Sequence, residues 1–163
     1  MHLDGFKTRY QTLQKSVEAD FLKDPDSVES LVLARSDGID VLLKDIWQAF
    51  EIDSELCLVA VGGFGRGELH LYSDIDLLIL IPNGTHGQHQ ESVSKFLTFL
   101  WDVGLEVGHA TRDISDCAIE SDDLSVVTNL LESRLLIGKN ALFLKMKSMI
   151  KASNWSSQSF LVE

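Results

Sequence analysis

The fold is decided by one stretch, residues 61–76, which reads Val61-Gly62-Gly63-Phe64-Gly65-Arg66-Gly67-Glu68-Leu69-His70-Leu71-Tyr72-Ser73-Asp74-Ile75-Asp76. Four glycines fall within residues 62–67, and a backbone so rich in glycine can turn tightly and approach a ligand closely. The amide N–H groups of such a turn can also hold phosphate oxygens. Two familiar phosphate loops are excluded, because the chain has no GxxxxGK[ST] lysine and the GxGxxG pattern begun at Gly63 meets Glu68.

Two aspartates end the same stretch. Asp74 and Asp76 stand at the start of an apolar run, residues 75–81, that predicts a strand. Alternate residues of a strand point to the same side, so the two carboxylates should face together. Such a pair is costly unless a cation lies between the charges, and Mg²⁺ takes one or two carboxylates together with substrate phosphates. The pattern predicts a magnesium ion and a nucleoside triphosphate; the alternative is a turn at Ser73 with Asp76 as an exposed edge residue.

The sequence on either side of this stretch predicts an α+β fold. Apolar spacings of three and four predict helices within residues 1–54 with a break at Pro25, around 93–103, over 124–137 and over 141–152. Short apolar runs predict strands over 56–61, 75–81 and 105–112. Gly104 and Gly138 are the expected stops, and residues 121–123 the expected cap of the 124–137 helix. We expect a small mixed sheet covered by helices over 55–152, an N-terminal helical segment over 1–54 and a C-terminal tail over 153–163.

Composition narrows the range of partners. The 163 residues carry 25 acidic and 14 basic side chains, a net charge of −11, and residues 1–56, 57–113 and 114–163 are each net acidic. A surface that neutralises many phosphates needs a stripe of Lys and Arg, so we expect no nucleic-acid and no membrane partner. The N-terminus lacks the cationic start and apolar core of a signal peptide, which predicts a cytoplasmic location. Cys57 and Cys117 are expected to be buried free thiols.

The glycine and aspartate pattern resembles a known signature. Gly62-Gly63-x-Gly65-Arg66-x-Glu68 followed by Ser73-Asp74-x-Asp76 is similar to that of the nucleotidyltransferase superfamily, which includes DNA polymerase beta. Matches at residues 34–35, 100–109 and 128–138 resemble, more narrowly, the N-terminal nucleotidyltransferase domain of bacterial PII uridylyltransferase/uridylyl-removing enzymes. The resemblance covers most of the chain and implies a nucleotidyltransferase fold.

Enzymes of that family transfer UMP from UTP to a tyrosine of the PII nitrogen-signalling protein and release pyrophosphate. The resemblance implies the same reaction here, with UTP and a PII-type protein as partners and Mg²⁺ as the cofactor. It implies that Asp74 and Asp76 are catalytic and bind the metal. It also implies that Gly62, Gly63 and Ser73 contact the nucleotide.

Two further roles follow from the resemblance. Arg66 would lie beside the phosphates and stabilise the charge that develops on pyrophosphate; the alternative is a surface arginine paired with Glu68. Members of the superfamily often use a third carboxylate on a neighbouring strand. Glu106 is best placed by sequence for this catalytic role, with Asp102 and Asp123 as competitors.

Other features leave alternatives open. His109 is a base or a structural histidine, His86 and His89 are given no role, and Leu71 stands where proline is common in this motif. The family's enzymes are several times longer and carry a metal-dependent hydrolase domain and glutamine-sensing domains, so we expect this chain to be one domain of a longer enzyme. The alternative functions are transfer to a different acceptor and a catalytically inert module that binds a nucleotide or a partner.

Overall fold

The computed structural model describes residues 2–119 and 123–158, and it confirms a mixed α+β architecture. A short 3-10 turn, Pro25–Ser27, separates the first two helices. The remaining elements run, in order, α1 (Leu3–Lys23), α2 (Val28–Ala49), β1 (Cys57–Ala60), α3 (Gly62–Gly65), β2 (Ile75–Leu80), α4 (His86–Val103), β3 (Val107–Arg112), α5 (Ile114–Ile119), α6 (Leu124–Leu131), β4 (Arg134–Gly138) and α7 (Asn140–Gln158).

Within residues 2–119 and 123–158, the sheet has four strands in the order β3-β2-β1-β4. β1 runs antiparallel to both β2 and β4, whereas β2 and β3 are parallel. Parallel neighbours need a long crossover connection, and α4 supplies it. In this pair Ile75 lies opposite Val107 and Asp76 lies opposite Gly108.

Helices cover both faces of the sheet. On one face α2 and α4 pack against alternate strand residues that include Leu58, Leu77 and Ile79. On the other face α5, α6 and α7 pack against the intervening residues, which include Leu78 and Leu80. Because side chains alternate along a strand, Asp76 shares the second face with Leu78 and Leu80.

The N-terminal helices are part of the main core. α1 and α2 break at Pro25 as predicted. Edge-to-face ring contacts join α1 to α4 through Phe6 and Phe99, with centroids 5.8 Å apart, and α2 to α4 through Trp47 and Phe96, at 5.2 Å. Such pairs add to the free energy of burial, so α2 is held firmly against the sheet.

The predicted helix over 124–137 is wrong beyond Leu131. α6 ends there, Ser133 Oγ donates to the Leu130 carbonyl at 2.6 Å, and residues 134–138 form β4. A short leucine-rich segment fits a helix or a strand equally well. Residues 134–138 adopt a strand because they pair with β1, which is far from them in the sequence.

Smaller differences lie at the element boundaries. The glycine turn contains one helical turn, α3, and α5 follows β3; neither was predicted. α7 begins one residue before the predicted start and continues to Gln158, into the predicted tail. Asp123 caps α6 as predicted, since its carboxylate accepts the Ser125 amide at 2.8 Å, while residues 121 and 122 of the predicted cap lie outside the described residues.

Other predictions are confirmed. Gly104 ends α4 in a left-handed conformation with φ of 102°. Cys57 and Cys117 are buried and form no disulfide with a described residue, and burial raises the pKa of Cys57 to about 11. Over the described part of the chain, no helix is both long and apolar enough to cross a membrane.

Candidate functional site

The glycine turn and the two aspartates meet where β1 ends and β2 begins. These strands are antiparallel, so the end of one lies beside the start of the other. The amide of Val61 donates to the Asp76 carbonyl at 3.1 Å, which pins the turn to β2. A depression of about 490 Å³ opens here, and its lining includes Gly63, Arg66, Ser73, Asp74 and Asp76. Five of the residues predicted for the site therefore share one surface.

The carboxylate of Asp76 is seated between two glycines. Gly62 has φ of +58°, and a Cβ atom added there would lie 3.3 Å from Asp76 Oδ2. A Cβ atom added at Gly108, on the neighbouring strand, would lie 2.7 Å from Asp76 Oδ1. Real Cβ atoms do not approach so closely without a shift, so Gly108 leaves room for the carboxylate. No local sequence pattern predicts this role for Gly108.

Within the described residues, no cationic side chain compensates the charges of Asp74 and Asp76. Asp76 is exposed, but partial desolvation of its carboxylate raises its pKa, and the negative charge of Asp74 raises it further. Among the side chains that the structure describes, no Lys or Arg pairs with either carboxylate and no donor bonds to one. Two adjacent carboxylates with free oxygens are a donor set that a hard cation such as Mg²⁺ takes. The residues therefore fit the predicted ion.

Some backbone N–H groups of the glycine loop are already hydrogen-bonded within the loop. Four of its amides donate to carbonyls of the same loop, namely those of Gly65, Arg66, Gly67 and Glu68. The first amides of a helical turn have no partner within it. The amides of Gly62 and Gly63 are therefore the loop's candidates for contact with phosphate oxygens.

Arg66 is held by two glutamates. Its guanidinium contacts Glu68 at 3.0 Å and Glu132 at 2.6 Å, and these hydrogen bonds raise the pKa of Arg66. The pair with Glu68 is the one that the alternative interpretation predicts. Arg66 also lies against the turn, because its Nη2 atom is 3.7 Å from the Cβ position of Gly63.

The three candidates for a third carboxylate lie in different places. Glu106 directly precedes β3, and its carbonyl accepts the Ile75 amide at 2.8 Å, so its backbone lies beside that of Asp74. Asp123 is occupied as the cap of α6. Asp102 lies on α4 and lines a separate depression with Phe99. Of the three, Glu106 is the one whose backbone the sheet pairing places beside Asp74.

Asn129 joins the site from α6, and sequence reasoning missed it. Its Oδ1 atom lies 3.9 Å from the Cβ position of Gly62, and it lines a second depression with Asp76 and Gly108. The sequence contains no local signal for this, because Asn129 reaches the site only when α6 packs on the second face of the sheet. His109 is exposed, and its ring lies 5.7 Å from that of Trp101.

A different acidic group lies at the opposite end of β2 and β3. Asp113 Oδ1 accepts the Asp116 amide at 2.9 Å, and Asp116 Oδ2 accepts the Asp113 amide at 3.0 Å. Asp113 Oδ2 also accepts the Gly84 amide at 3.1 Å. His86 Nε2 lies 2.8 Å from Asp116 Oδ2. These carboxylates hold the turns that follow the two strands.

Comparison with known proteins agrees with this geometry. A family model described as a nucleotidyltransferase domain matches residues 42–137. Similar proteins include bifunctional uridylyltransferase/uridylyl-removing enzymes of three bacteria. That of Photobacterium profundum is 50% identical over 137 residues, which cover 82% of this chain and 16% of the relative. That of Vibrio cholerae is 43% identical and that of Pseudomonas fluorescens 40%, each over 162 residues, 97% of this chain and 18% of the relative. The chain spans less than a fifth of the length of these curated relatives.

Proposed function

This chain belongs to the nucleotidyltransferase domain family, and from that premise we propose that it transfers UMP from UTP to a tyrosine of a PII-type signal protein. The names of the relatives support the uridylyl group as the one transferred. The acceptor follows from the family resemblance of the sequence. The observation that carries the proposal is the Asp76 carboxylate, seated between Gly62 and Gly108 in the same depression as Asp74.

The reaction needs little covalent chemistry from the protein. The tyrosine oxygen attacks the α-phosphorus of UTP, a new O–P bond forms, and the bond to pyrophosphate breaks as the phenolic proton is lost. Asp74 and Asp76 would hold Mg²⁺, which when bound neutralises charge on the phosphates and on the leaving group. The amides of Gly62 and Gly63 would donate to phosphate oxygens. Most of the rate enhancement would come from this positioning.

Three further side chains take supporting roles in the proposal. Arg66 is exposed enough to exchange one of its glutamate partners for a pyrophosphate oxygen, where its charge would stabilise the leaving group. Glu106 would serve as the third carboxylate, because its backbone lies beside that of Asp74. Ser73, which lines the same depression, would contact the nucleotide.

The setting of the reaction is also a proposal. The relatives are more than five times as long as this chain, which supports the view that the domain acts within a longer enzyme. We propose that it acts in the cytoplasm on a protein acceptor, as the sequence predicts.

A transfer assay tests the proposal directly. The chain is incubated with Mg²⁺, UTP labelled at the α-phosphate and a purified PII-type protein. We expect the label on a tyrosine of the acceptor, and no label on an acceptor whose tyrosine is changed to phenylalanine. Asp76→Asn should lower the rate by about a thousandfold, since each ~1.4 kcal/mol of lost transition-state stabilisation is tenfold. Asp102→Asn is the matched control and should leave the rate unchanged.

Two results would contradict the proposal. A chain that binds UTP with Mg²⁺ yet labels no acceptor would be a binding module. A chain that labels a different acceptor in preference to the PII-type protein would be a nucleotidyltransferase of different specificity.

A further inference from the structure

We infer that Arg35 and Arg134 are positioning residues of the candidate site, because they attach the two ends of its loop to one helix, α2. Neither residue contacts the depression that holds Asp74 and Asp76. The consequence for catalysis rests on the proposed function, whereas the attachment of the loop can be tested without it.

Arg35 holds the end of the loop that leads to Asp74. It lies on α2, is 3% exposed, and its Nη1 atom donates to the His70 carbonyl at 2.5 Å. The same carbonyl accepts the Ser73 amide at 3.0 Å, which closes the turn immediately before Asp74. Arg35 Nε donates to Gln14 Oε1 at 3.1 Å, so the guanidinium joins α1, α2 and the loop.

Arg134 holds the end of the loop next to the glycine turn. Its guanidinium bonds to both carboxylate oxygens of Asp40, a buried residue of α2. Its Nη2 atom also donates to the Phe64 carbonyl at 3.1 Å. That carbonyl accepts the Gly67 amide at 3.0 Å. Each arginine therefore binds a carbonyl oxygen that already closes a turn of the loop.

Helix α2 is a rigid support for these two attachments. Arg35 and Asp40 are five residues apart on it, a rise of about 7.5 Å. Between them Ile39 is fully buried in the core. The loop lies over the helix, since a Cβ atom at Gly67 would be 4.0 Å from Ser36 Oγ. The position of residues 64–73 is therefore set by α2 rather than by the loop alone.

Stability alone does not account for Arg35. Its guanidinium bonds to neutral oxygens of Gln14 and His70. It also interacts with the Tyr10 side chain, and the charge of Glu106 attracts it without a direct bond. Burying a cation without a directly bonded anion is costly, and apolar residues of similar size often replace buried charges without loss of stability. The planar guanidinium has several N–H donors at fixed angles. It is therefore well suited to holding a backbone carbonyl in place.

The test compares Arg35→Gln with a control that also breaks an α1–α2 contact. Arg9 of α1 pairs with Asp45 of α2 at 2.6 Å and does not touch the loop, so Arg9→Gln is the control. Two quantities are measured on each chain: hydrogen exchange of the amides in residues 66–76 without ligand, and the Mg²⁺ concentration that gives half-maximal UTP binding.

For Arg35→Gln we expect exchange in residues 66–76 to accelerate about tenfold, while exchange in β1 stays as in the parent. The Mg²⁺ requirement should rise about tenfold, because displacement by about 1 Å can cost up to a hundredfold in function. Arg35→Lys, which keeps one donor, should fall between parent and Arg35→Gln. Arg134→Lys should accelerate exchange around Phe64 in the same manner.

The outcomes separate this inference from the proposed function. Unchanged exchange in residues 66–76 of a folded Arg35→Gln chain would overturn the inference, and so would an equal acceleration across the whole sheet. If Arg35→Gln does not fold, Arg35→Lys and Arg134→Lys decide by the same criterion. If the parent itself binds no UTP with Mg²⁺, the proposed function is wrong, and the exchange measurement still decides whether the arginines hold the loop.

Discussion

The two ends of the parallel pair β2–β3 both carry acidic side chains and use them in opposite ways. Beyond the last residues of these strands, Asp113 and Asp116 accept backbone amides, and Asp113 is buried. At the first residues of the pair, the carboxylates of Asp74 and Asp76 accept no hydrogen bond from the groups that the structure describes.

The pKa values of one carboxylate from each group, Asp113 and Asp76, move in opposite directions. The amides of Asp116 and Gly84 hold the pKa of Asp113 below its ordinary value. Partial desolvation, and then the charge of Asp74, raise the pKa of Asp76. In the first group, the ionised carboxylate of Asp113 has its oxygens occupied by backbone amides and stabilises the fold. In the second group, the carboxylate oxygens accept no hydrogen bond from the described residues, which leaves them open to the proposed cation.

Of the single substitutions that compare the two ends, the one with the largest expected effect on UTP binding crowds the Asp76 carboxylate. In Gly108→Ala the new methyl group would lie 2.7 Å from Asp76 Oδ1 and must displace it. We expect Mg²⁺-dependent UTP binding to weaken by up to about a hundredfold. The control is Gly87→Ala on α4, where a Cβ atom meets nothing within 4 Å. If Gly108→Ala binds UTP as tightly as the parent, the space that Gly108 leaves for the Asp76 carboxylate is unimportant for binding.

The next effect concerns stability at the other acidic group. Asp113→Ala leaves the amides of Gly84 and Asp116 without their carboxylate partner. This should lower the free energy of unfolding by about 2 kcal/mol, measured by urea denaturation, while UTP binding is retained. Asp102→Ala, on an exposed helix surface, should change the free energy of unfolding by less than about 0.5 kcal/mol. If the two variants lower the free energy of unfolding equally, Asp113 has no special structural role.

The same stabilisation should depend on pH in a defined direction. Because the folded-state pKa of Asp113 is lowered, its contribution is present above the unfolded-state pKa of about 3.9 and disappears as pH falls through the folded value. The difference in free energy of unfolding between the parent and Asp113→Asn should therefore be constant near pH 6 and shrink toward pH 3. A difference that grows on acidification would contradict the assigned hydrogen bonds.

The smallest expected effect is an increase in stability. Asp76→Asn removes a like-charge contact with Asp74, so without divalent cations at pH 7 it should raise the free energy of unfolding. Solvent screens these charges, which limits the gain to about 0.5 kcal/mol. Thermal melts of Asp76→Asn and Asp113→Asn, run side by side, should shift in opposite directions. A shared downward shift would mean that both acidic groups serve the fold.

The sequence predicted the elements whose signals are local. The break at Pro25, the stop at Gly104 and the strands on either side of the glycine turn follow from turn chemistry and short apolar runs. β4 was missed because Leu135 and Leu136 fit a helical pattern, and only pairing with β1 decides their conformation.

The residues of the site were likewise predicted where the signal is local and missed where it depends on tertiary contacts. Gly62, Asp74 and Asp76 lie within one short stretch of chain, so the sequence alone predicts that they belong to one site. Arg35 and Arg134 reach the loop from α2 and β4, and their contacts depend on the packed fold. No pattern within a short window records such contacts.

Calorimetric titration with UTP in the presence of Mg²⁺ tests the central claim most directly. The parent should bind in a saturable manner that requires the metal. The Asp74→Asn/Asp76→Asn chain should show no binding at concentrations that saturate the parent, and Asp113→Asn, titrated at a temperature where it is folded, should bind as the parent does. Binding by the double variant as tight as that of the parent would contradict the account.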